Sequence, residues 1–263
     1  MHGDADRVLT GAEQDVIEGV RMVSSLGKTV IHPGGRATTD FMFQAGGFEA
    51  GHEVLEVGCG VGTTAVRLAR EKGCRVRAID IDAALVDRAR RSVDRAGRAE
   101  QVSVQQGDAL NLPFDDASFD RVLVEAVLMF VDRPKAIGEI ARVSRPGALV
   151  LDHEVATPDD TPDEIRRTVS DGMGRVALDS VETWAGLYRA AGFDLLETRA
   201  EPMAMSSPRF LVRDEGLAGA ARMMARLLTS PGKLRRMARY MGAARKAEPH
   251  LQSMVVVARK PGG

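Results

Sequence analysis

The chain has 263 residues, of which 44% are hydrophobic and 28% are charged, and its formal net charge is −1. This length and balance predict one globular domain with a substantial apolar core, alone or with an elaborated lid. They exclude polyanion binding by the chain as a whole, although ten Lys and Arg residues against two acids between Arg209 and Lys246 leave that function open for one segment.

The longest apolar runs are strand-sized pieces such as residues 148–151 and 254–258, and charged residues are scattered through the first thirty positions. We therefore predict neither a membrane span nor a secretory signal. Cys59 and Cys74 are the only cysteines, so the sequence offers no disulfide framework and no cysteine-based zinc site, and we expect no metal centre. The expected location is the reducing cytoplasm.

The predicted elements begin with an amphipathic helix that runs from a capping box at Thr10 and Glu13 to about Leu26. A bend from His32 to Arg36 follows. Apolar runs then predict strands at 53–58, 74–80, 102–106, 119–127 and 148–155. Amphipathic stretches predict helices at 63–73, 83–97 and 133–144. This alternation indicates βαβ units with right-handed crossovers, and therefore a doubly wound, mostly parallel α/β sheet.

Three alternate glycines, Gly58, Gly60 and Gly62, follow the first predicted strand and precede its helix. At this edge of a doubly wound sheet, glycines let the backbone approach a ligand, and the helix N-terminus offers unpaired N–H groups. Asp80 ends the second predicted strand, where a carboxylate can accept both hydroxyls of a ribose. Thr63 stands where a dinucleotide fingerprint requires its third glycine, so the turn favours S-adenosylmethionine over NAD.

The motifs VLEVGCGVG (54–62), AIDID (78–82) and GDALNLPFDDASFD (107–120) resemble, in order and spacing, the first three motifs of the class I S-adenosylmethionine-dependent methyltransferases. SRPGALVL, AGFDLLETR and LQSMVVVARKP resemble that family's last three strands. The resemblance implies a seven-stranded Rossmann-like sheet, S-adenosylmethionine as methyl donor and S-adenosylhomocysteine as product. We divide the chain accordingly into a helical N-terminal cap (1–50), a cofactor-binding core (51–200), a helical lid (201–248) and a final core strand with tail (249–263), all in one structural domain.

The resemblance also implies cofactor contacts from residues at the carboxyl ends of the first four strands, namely Glu56, Gly58, Cys59, Gly60, Gly62, Asp80, Ile81, Asp108, Ala109 and Glu125. In that scheme Glu56 approaches the methionine ammonium and Asp80 accepts the ribose hydroxyls. Asp108 and Ala109 serve the adenine ring, and Glu125 borders the methionine moiety. Each acid has a structural alternative, as a paired core acid, a turn residue or a strand-end surface acid.

The acceptor side is less well marked. The turn after the fourth strand reads LMF (128–130), where many family members carry a polar or histidine pair, and we expect an apolar wall there. Methyl transfer from a sulfonium needs alignment more than a base. If a base is used, His153 and Glu154 are the candidates, with a strand-end structural role as the alternative. The predicted acceptor pocket is drawn from three separate segments, with His32, Arg36, Met129, Phe130, Met223 and Met237.

The insertion between Met203 and Met241 is predicted as two helices with methionines on one side and arginines on the other. The methionines are expected to form lid core or acceptor pocket, and the arginines to pair with the acids of residues 152–164. The predicted function is methyl transfer to a small, partly apolar molecule. A macromolecular acceptor (nucleic acid, protein or lipid) and a non-catalytic S-adenosylmethionine-binding protein stay as alternatives. We expect no nucleic-acid partner and no stable membrane association, and we leave a homodimer open.

Overall fold

The computed structural model describes residues 10–173, 176, 178–203 and 208–262. Two helices precede the sheet, α1 (Gly11–Ser25) and α2 (Gly35–Ala45). The strands are β1 (Glu53–Val57), β2 (Arg75–Asp80), β3 (Val102–Gln106), β4 (Phe119–Glu125), β5 (Ser144–Ala156), β6 (Asp194–Pro202) and β7 (Gln252–Arg259). The remaining helices are α3 (Thr63–Arg67, continued by a π-helical turn over Leu68–Lys72), α4 (Ala83–Arg95), α5 (Arg133–Val143), α6 (Asp163–Met173), α7 (Val181–Ala190), α8 (Pro208–Leu228) and α9 (Pro231–Ala247).

The seven strands form one sheet in the order β3-β2-β1-β4-β5-β7-β6. Strands β1 to β5 pair in parallel, and β7 runs antiparallel to both β5 and β6. The predicted mostly parallel, seven-stranded Rossmann-like fold is confirmed. The strand order reverses at β1, which lies between β2 and β4, so a crevice opens at the carboxyl ends of these strands. The division of the chain into cap, core and lid stays a prediction.

Each strand divides its side chains between two apolar layers, because successive residues point to opposite faces of a sheet. One layer packs Leu55 and Val57 of β1 with buried residues of α5 and α7. The other packs Val54 of β1 with buried residues of α2, α3 and α4. Alternation therefore directs three polar side chains at the carboxyl ends of their strands toward the α2 layer, namely Glu56, Glu125 and His153.

Asp152 and Glu154 point to the opposite, α7 layer, where both are fully buried. The hydroxyl of Tyr188 donates to Asp152 Oδ2 at 2.8 Å. Glu154 accepts the backbone N–H groups of residues 127, 128 and 129 at 2.9, 2.6 and 3.2 Å. Its carboxylate is thus enclosed in the core, where it holds the turn after β4, and the role of Glu154 as a base stays a prediction.

Helices α8 and α9, which we call the C-terminal hairpin, pack against the end of α1. Met223 and Leu227 are buried together with Leu26, and Met237 packs on the same cluster. The structure therefore places Met223 and Met237 in the core of the hairpin, and their contact with an acceptor stays a prediction. They pack against the end of α1 and not against the carboxyl ends of the strands, where the crevice opens.

The basic residues of the hairpin also find partners on α1. Lys233 Nζ donates to Ser25 Oγ at 2.9 Å, and Arg236 lies 3.3 Å from a Glu18 carboxylate oxygen. The sequence predicted partners among the acids of residues 152–164 instead. None of the described helices combines the length and the apolar character that crossing a bilayer requires.

The buried carboxyl pair makes stability depend on pH. Burial raises the pKa of Asp152 to about 7, against the opposing hydrogen bonds from Tyr188 and Glu154. Because this folded-state pKa lies above that of an unfolded Asp, the stabilisation is complete at low pH and is lost as pH rises through about 7. We expect the free energy of unfolding to fall by about 3 kcal/mol between pH 5 and 8, since the loss runs over the two pH units from 5 to 7 and each unit corresponds to about 1.4 kcal/mol.

Asp152→Asn should reduce this slope, because the amide imitates the protonated acid and keeps a partner for Tyr188. Part of the slope should remain, since burial also raises the pKa of Glu154. Urea titrations of both proteins at a series of pH values measure the effect. An unchanged slope in a folded Asp152→Asn protein would show that the pH dependence comes from other groups.

Candidate functional site

The glycine turn joins β1 to α3 and is fixed by the end of β2. The N–H groups of Gly58 and Cys59 both donate to Ile79 O at 2.8 Å. Gly58 has a φ of 74°, and an added Cβ would collide with the Val127 side chain, so packing as well as conformation requires glycine there. Gly60 has a φ of 55°, but no atom lies within 4 Å of its would-be Cβ. The turn is therefore packed at its base and open at its tip.

A cavity lies over this turn. Most of the predicted cofactor residues line it, namely Glu56, Gly58, Cys59, Gly60, Asp80, Ile81, Asp108, Ala109 and Glu125. Gly62 does not, because it lies behind the turn against α4, where an added Cβ would come within 3.1 Å of the Ala89 Cα. The opposite wall consists of α1 and the roof segment, which we define as residues 28–39 and which brings His32 and Arg36 to the cavity.

Asp80 binds the turn to its own strand end. One carboxylate oxygen accepts the Gly60 N–H at 2.9 Å, and the other accepts the Asp82 N–H at 2.9 Å. Burial raises the pKa of Asp80 to about 6, although both backbone hydrogen bonds oppose the rise. The carboxylate thus stands at the cavity wall with backbone N–H groups on one side and open space on the other.

Glu56 is the least satisfied acid of the site. It is 4% exposed, and its Oε2 has no hydrogen-bond partner among the described residues. Burial, followed by the nearby charges of Glu125 and Asp80, raises its pKa well above the usual value. A buried carboxylate in this state gains strongly from a cationic partner, because the cation would satisfy the oxygen and neutralise the charge.

Glu125 is by contrast fully engaged. Its carboxylate accepts the hydroxyls of Thr39 and Thr64 at 2.8 Å each, and it lies 2.9 Å from His32 Nε2. Burial opposes ionisation, but the charge and hydrogen bond of His32 hold the pKa of Glu125 down to about 2. The acid predicted to border a methionine moiety therefore anchors α2, α3 and the roof segment to the end of β4.

His32 is held in its protonated form. Its Nδ1–H donates to the Pro33 carbonyl at 3.0 Å while Nε2 faces Glu125, so both ring nitrogens meet acceptors. Burial alone would lower the pKa of His32, but the charge of Glu125 raises it above the ordinary value. The roof segment thus closes on the sheet through a buried ion pair.

His153 lies behind His32 and outside the cavity wall. The two rings meet edge to face with centroids 5.3 Å apart, and His153 Nε2 is 2.9 Å from Ser253 Oγ. Burial, together with the charge of His32, lowers the pKa of His153 to about 3, so the ring stays neutral. The ring is thus enclosed and supports His32 from beneath, and the role of His153 as a base stays a prediction.

The turn after β4 contributes one of its two predicted pocket residues. Phe130 lines the cavity, whereas Met129 is 2% exposed and packs in the layer of α5 and α7. The short 3₁₀ turn Leu128–Phe130, held by Glu154, directs these neighbours to opposite sides. Of these two residues only Phe130 lines the cavity, and a contact of either one with the acceptor stays a prediction.

Sequence reasoning missed the side chains that position the roof. Glu215 of α8 accepts the Thr29 N–H at 2.7 Å and the Val30 N–H at 3.1 Å, and Asp214 accepts the Arg36 N–H at 3.1 Å. These partners lie 178 to 186 residues apart along the chain. Arg21 of α1 likewise grips Asp82 through two hydrogen bonds of 2.6 and 2.5 Å. No local sequence pattern marks such pairs.

Comparison with known proteins gives both sequence and fold matches. A family model described as a methyltransferase domain matches residues 55–152. An uncharacterized protein of Haemophilus influenzae is 34% identical over 215 residues, 78% of this chain and 84% of that protein. The methyltransferase GfsG of Streptomyces halstedii is 33% identical over 168 residues, 62% of this chain and 60% of that protein. The crystal structure of the 4+2 cyclase SpnF has a TM-score of 0.75 at 24% identity, covering 96% of this chain and 95% of that one.

The likeness to SpnF concerns the fold alone. The sequence matches go further, because the matched domain runs from β1 to β5 and includes the glycine turn, Asp80 and Asp108. The matched domain, its motifs and the relative GfsG all indicate a methyltransferase. The chain belongs to the class I S-adenosylmethionine-dependent methyltransferases, and S-adenosylmethionine is its cofactor.

Proposed function

We propose that the protein transfers a methyl group to a small, partly apolar molecule bound between the glycine turn and the roof segment. The observation that carries this proposal is a single cavity with two unlike walls. One wall presents the buried acids Glu56 and Asp80 at the glycine turn. The other presents apolar side chains of α1, the roof segment and the turn after β4: Val16, Ile17, Val20, Ile31, Phe130 and Val131.

The acid wall fits the cofactor. We assign the ammonium group to Glu56, whose buried Oε2 has no hydrogen-bond partner within the described part of the chain, and the ribose hydroxyls to Asp80. Gly60 offers the close backbone approach that its open surroundings permit. Asp108 and Ala109, with Ile81, lie in the same cavity beyond Asp80, where the adenine ring would be held. These assignments rest on chemical fit alone. A cation pairs with a carboxylate, and hydroxyl groups donate hydrogen bonds to a carboxylate.

The protein's own residues align the reactants and exclude water. The bound cofactor supplies a methyl group already activated on a sulfonium, so a positioned base is optional. His32 lines the cavity but is protonated and paired, and so it holds the roof rather than accepting a proton. We infer that an acceptor arrives in its nucleophilic form and is oriented by the apolar wall.

A shared fold does not determine which reaction a protein catalyses, and the likeness of this chain to a protein named as a cyclase illustrates this. The small-molecule assignment draws support from the enclosed apolar wall and from a relative named as a methyltransferase. The three candidate functions differ in where the methyl group is found after the reaction. It would be on a small molecule, on a macromolecule, or, for a non-catalytic binder, still on the cofactor. A label-transfer experiment therefore separates all three.

Label transfer tests the proposed class of acceptor. Incubation with methyl-labelled S-adenosylmethionine and fractionated metabolite extracts should place label in the solvent-extractable small-molecule fraction, because the cavity is lined by apolar side chains. The labelled product is then identified by mass spectrometry. Label in precipitated nucleic acid, protein or extracted membrane lipid would replace the proposed acceptor class, and tight cofactor binding with label in no fraction would favour the non-catalytic binder.

Glu56→Gln tests the ammonium assignment. The variant should bind S-adenosylhomocysteine more weakly by about 1.5 to 3 kcal/mol, the range for hydrogen bonds to charged groups. Methylthioadenosine, which lacks the amino-acid part, should bind both proteins equally in calorimetry. An equal loss for both ligands would mean that the substitution disturbs the cavity as a whole and that the ammonium is held elsewhere.

Asp80→Asn tests the ribose assignment with the same two ligands. Both carry the ribose, so both should lose affinity by about 1.5 to 3 kcal/mol. The matched control is Asp87→Asn, which removes the same charge from an exposed position on α4 that pairs with Arg90. Unchanged affinity in a folded Asp80→Asn protein would move the ribose contact to another side chain, with Asp82 the next one along the chain.

A further inference from the structure

The outward side of α8 carries an apolar stripe that the rest of the described chain leaves uncovered. Leu217, Met224 and Leu228 are 78%, 45% and 65% exposed. At about 100° per residue, Met224 and Leu228 lie within about 20° of Leu217 around the helix. Three exposed alanines continue the same side. A contiguous apolar side on an exposed helix marks an interaction surface rather than ordinary surface variation.

The neighbouring helix adds positive charge to this surface. On α9, Arg235 and Arg239 are exposed one turn apart, and Leu234 beside them is 40% exposed. The inner sides of the two helices converge on one cluster, where Met237 packs on Met223, so their outer sides both face away from the body. The hairpin therefore presents apolar and cationic rows together.

The two acids of the hairpin do not balance this charge on the outside. Asp214 is 2% exposed and faces the start of α2, and Glu215 is bound to the roof segment through Thr29 and Val30. The segment from 209 to 246 holds ten Lys and Arg residues against these two acids. Its outer surface is thus cationic, and its natural complement is anionic.

This pattern disfavours a second copy of the chain as the occupant. A two-fold contact brings the same patch together from both sides, so the arginine rows would face each other with both acids turned inward. An anionic lipid surface instead offers acyl chains to the leucines and headgroup charge to the arginines at the same time.

We propose that the outer side of the C-terminal hairpin docks on an anionic bilayer surface. The hairpin lies in the interface plane, with Leu217, Met224 and Leu228 in the acyl boundary and Arg235 and Arg239 at the headgroups. Because Asp214 and Glu215 tie this hairpin to the roof segment, docking brings the cavity roof close to the bilayer. An apolar acceptor, if the proposed function holds, would then reach the cavity from the lipid side.

The test is flotation of the full chain with vesicles of phosphatidylcholine, with or without phosphatidylglycerol. The salt concentration is about 150 mM, where the Debye length is about 8 Å. We expect flotation with the anionic vesicles only. Leu217→Gln with Leu228→Gln should abolish it. Arg235→Gln with Arg239→Gln should weaken binding about thirtyfold, since one basic residue near such a surface contributes roughly a fivefold factor. No activity is needed, so failure here leaves the proposed function untouched.

Matched controls separate the surface from general effects. Leu196→Gln changes an exposed leucine on β6, and Arg91→Gln with Arg95→Gln removes two arginines one turn apart on α4; both should float like the parent. Three results would overturn the proposal. They are no flotation at all, binding to DNA that ignores the leucines, and a dimer in light scattering that Leu217→Gln dissolves.

Discussion

The buried carboxylate of Glu125 is the constraint from which the arrangement of the site follows. An ionised group at this depth is costly unless it is paired and hydrogen-bonded. Thr39, Thr64 and His32 satisfy it from α2, α3 and the roof segment. The end of β4 thus determines where three other elements lie, and with them the height of the cavity over the glycine turn.

The same logic extends outward from the site to the hairpin. Glu215 holds the backbone of Thr29 and Val30, and His32 in the same segment is held by Glu125. The roof is therefore clamped at both ends by acids, one from the sheet and one from α8. A displacement of the hairpin has a direct route to the cavity through these hydrogen bonds, without any change in the core.

The sequence was sufficient for the sheet and for the glycine turn because both depend on local rules. Periodic apolar runs and helix caps predicted β1 to β5, and the acid ending β2 predicted a carboxylate beside Gly60. The sequence was insufficient wherever the environment of a side chain depends on which helix or strand packs over that face of its own element. Alternation puts His153 and Glu154 on opposite sides of β5, but the elements that cover the two faces decide that both are enclosed. The surroundings of Met223 and Met237 were likewise beyond the sequence, since Leu26, directly after α1, packs with them.

Asp152 and Glu56 are buried acids that each have one carboxylate oxygen without a hydrogen-bond partner among the described residues. The first affects the pH dependence of stability, and the second lies at the proposed binding site. Asp152 has such an atom in the α7 layer, and Glu56 has one in the α2 layer. Each costs stability through desolvation. Asp152 can relieve the cost by holding a proton beside Glu154, whereas Glu56 stands at a cavity that can admit a cation. In the proposed assignment, binding of the cofactor's ammonium group would satisfy the Glu56 oxygen, and it would thereby link cofactor binding to the stability of the fold.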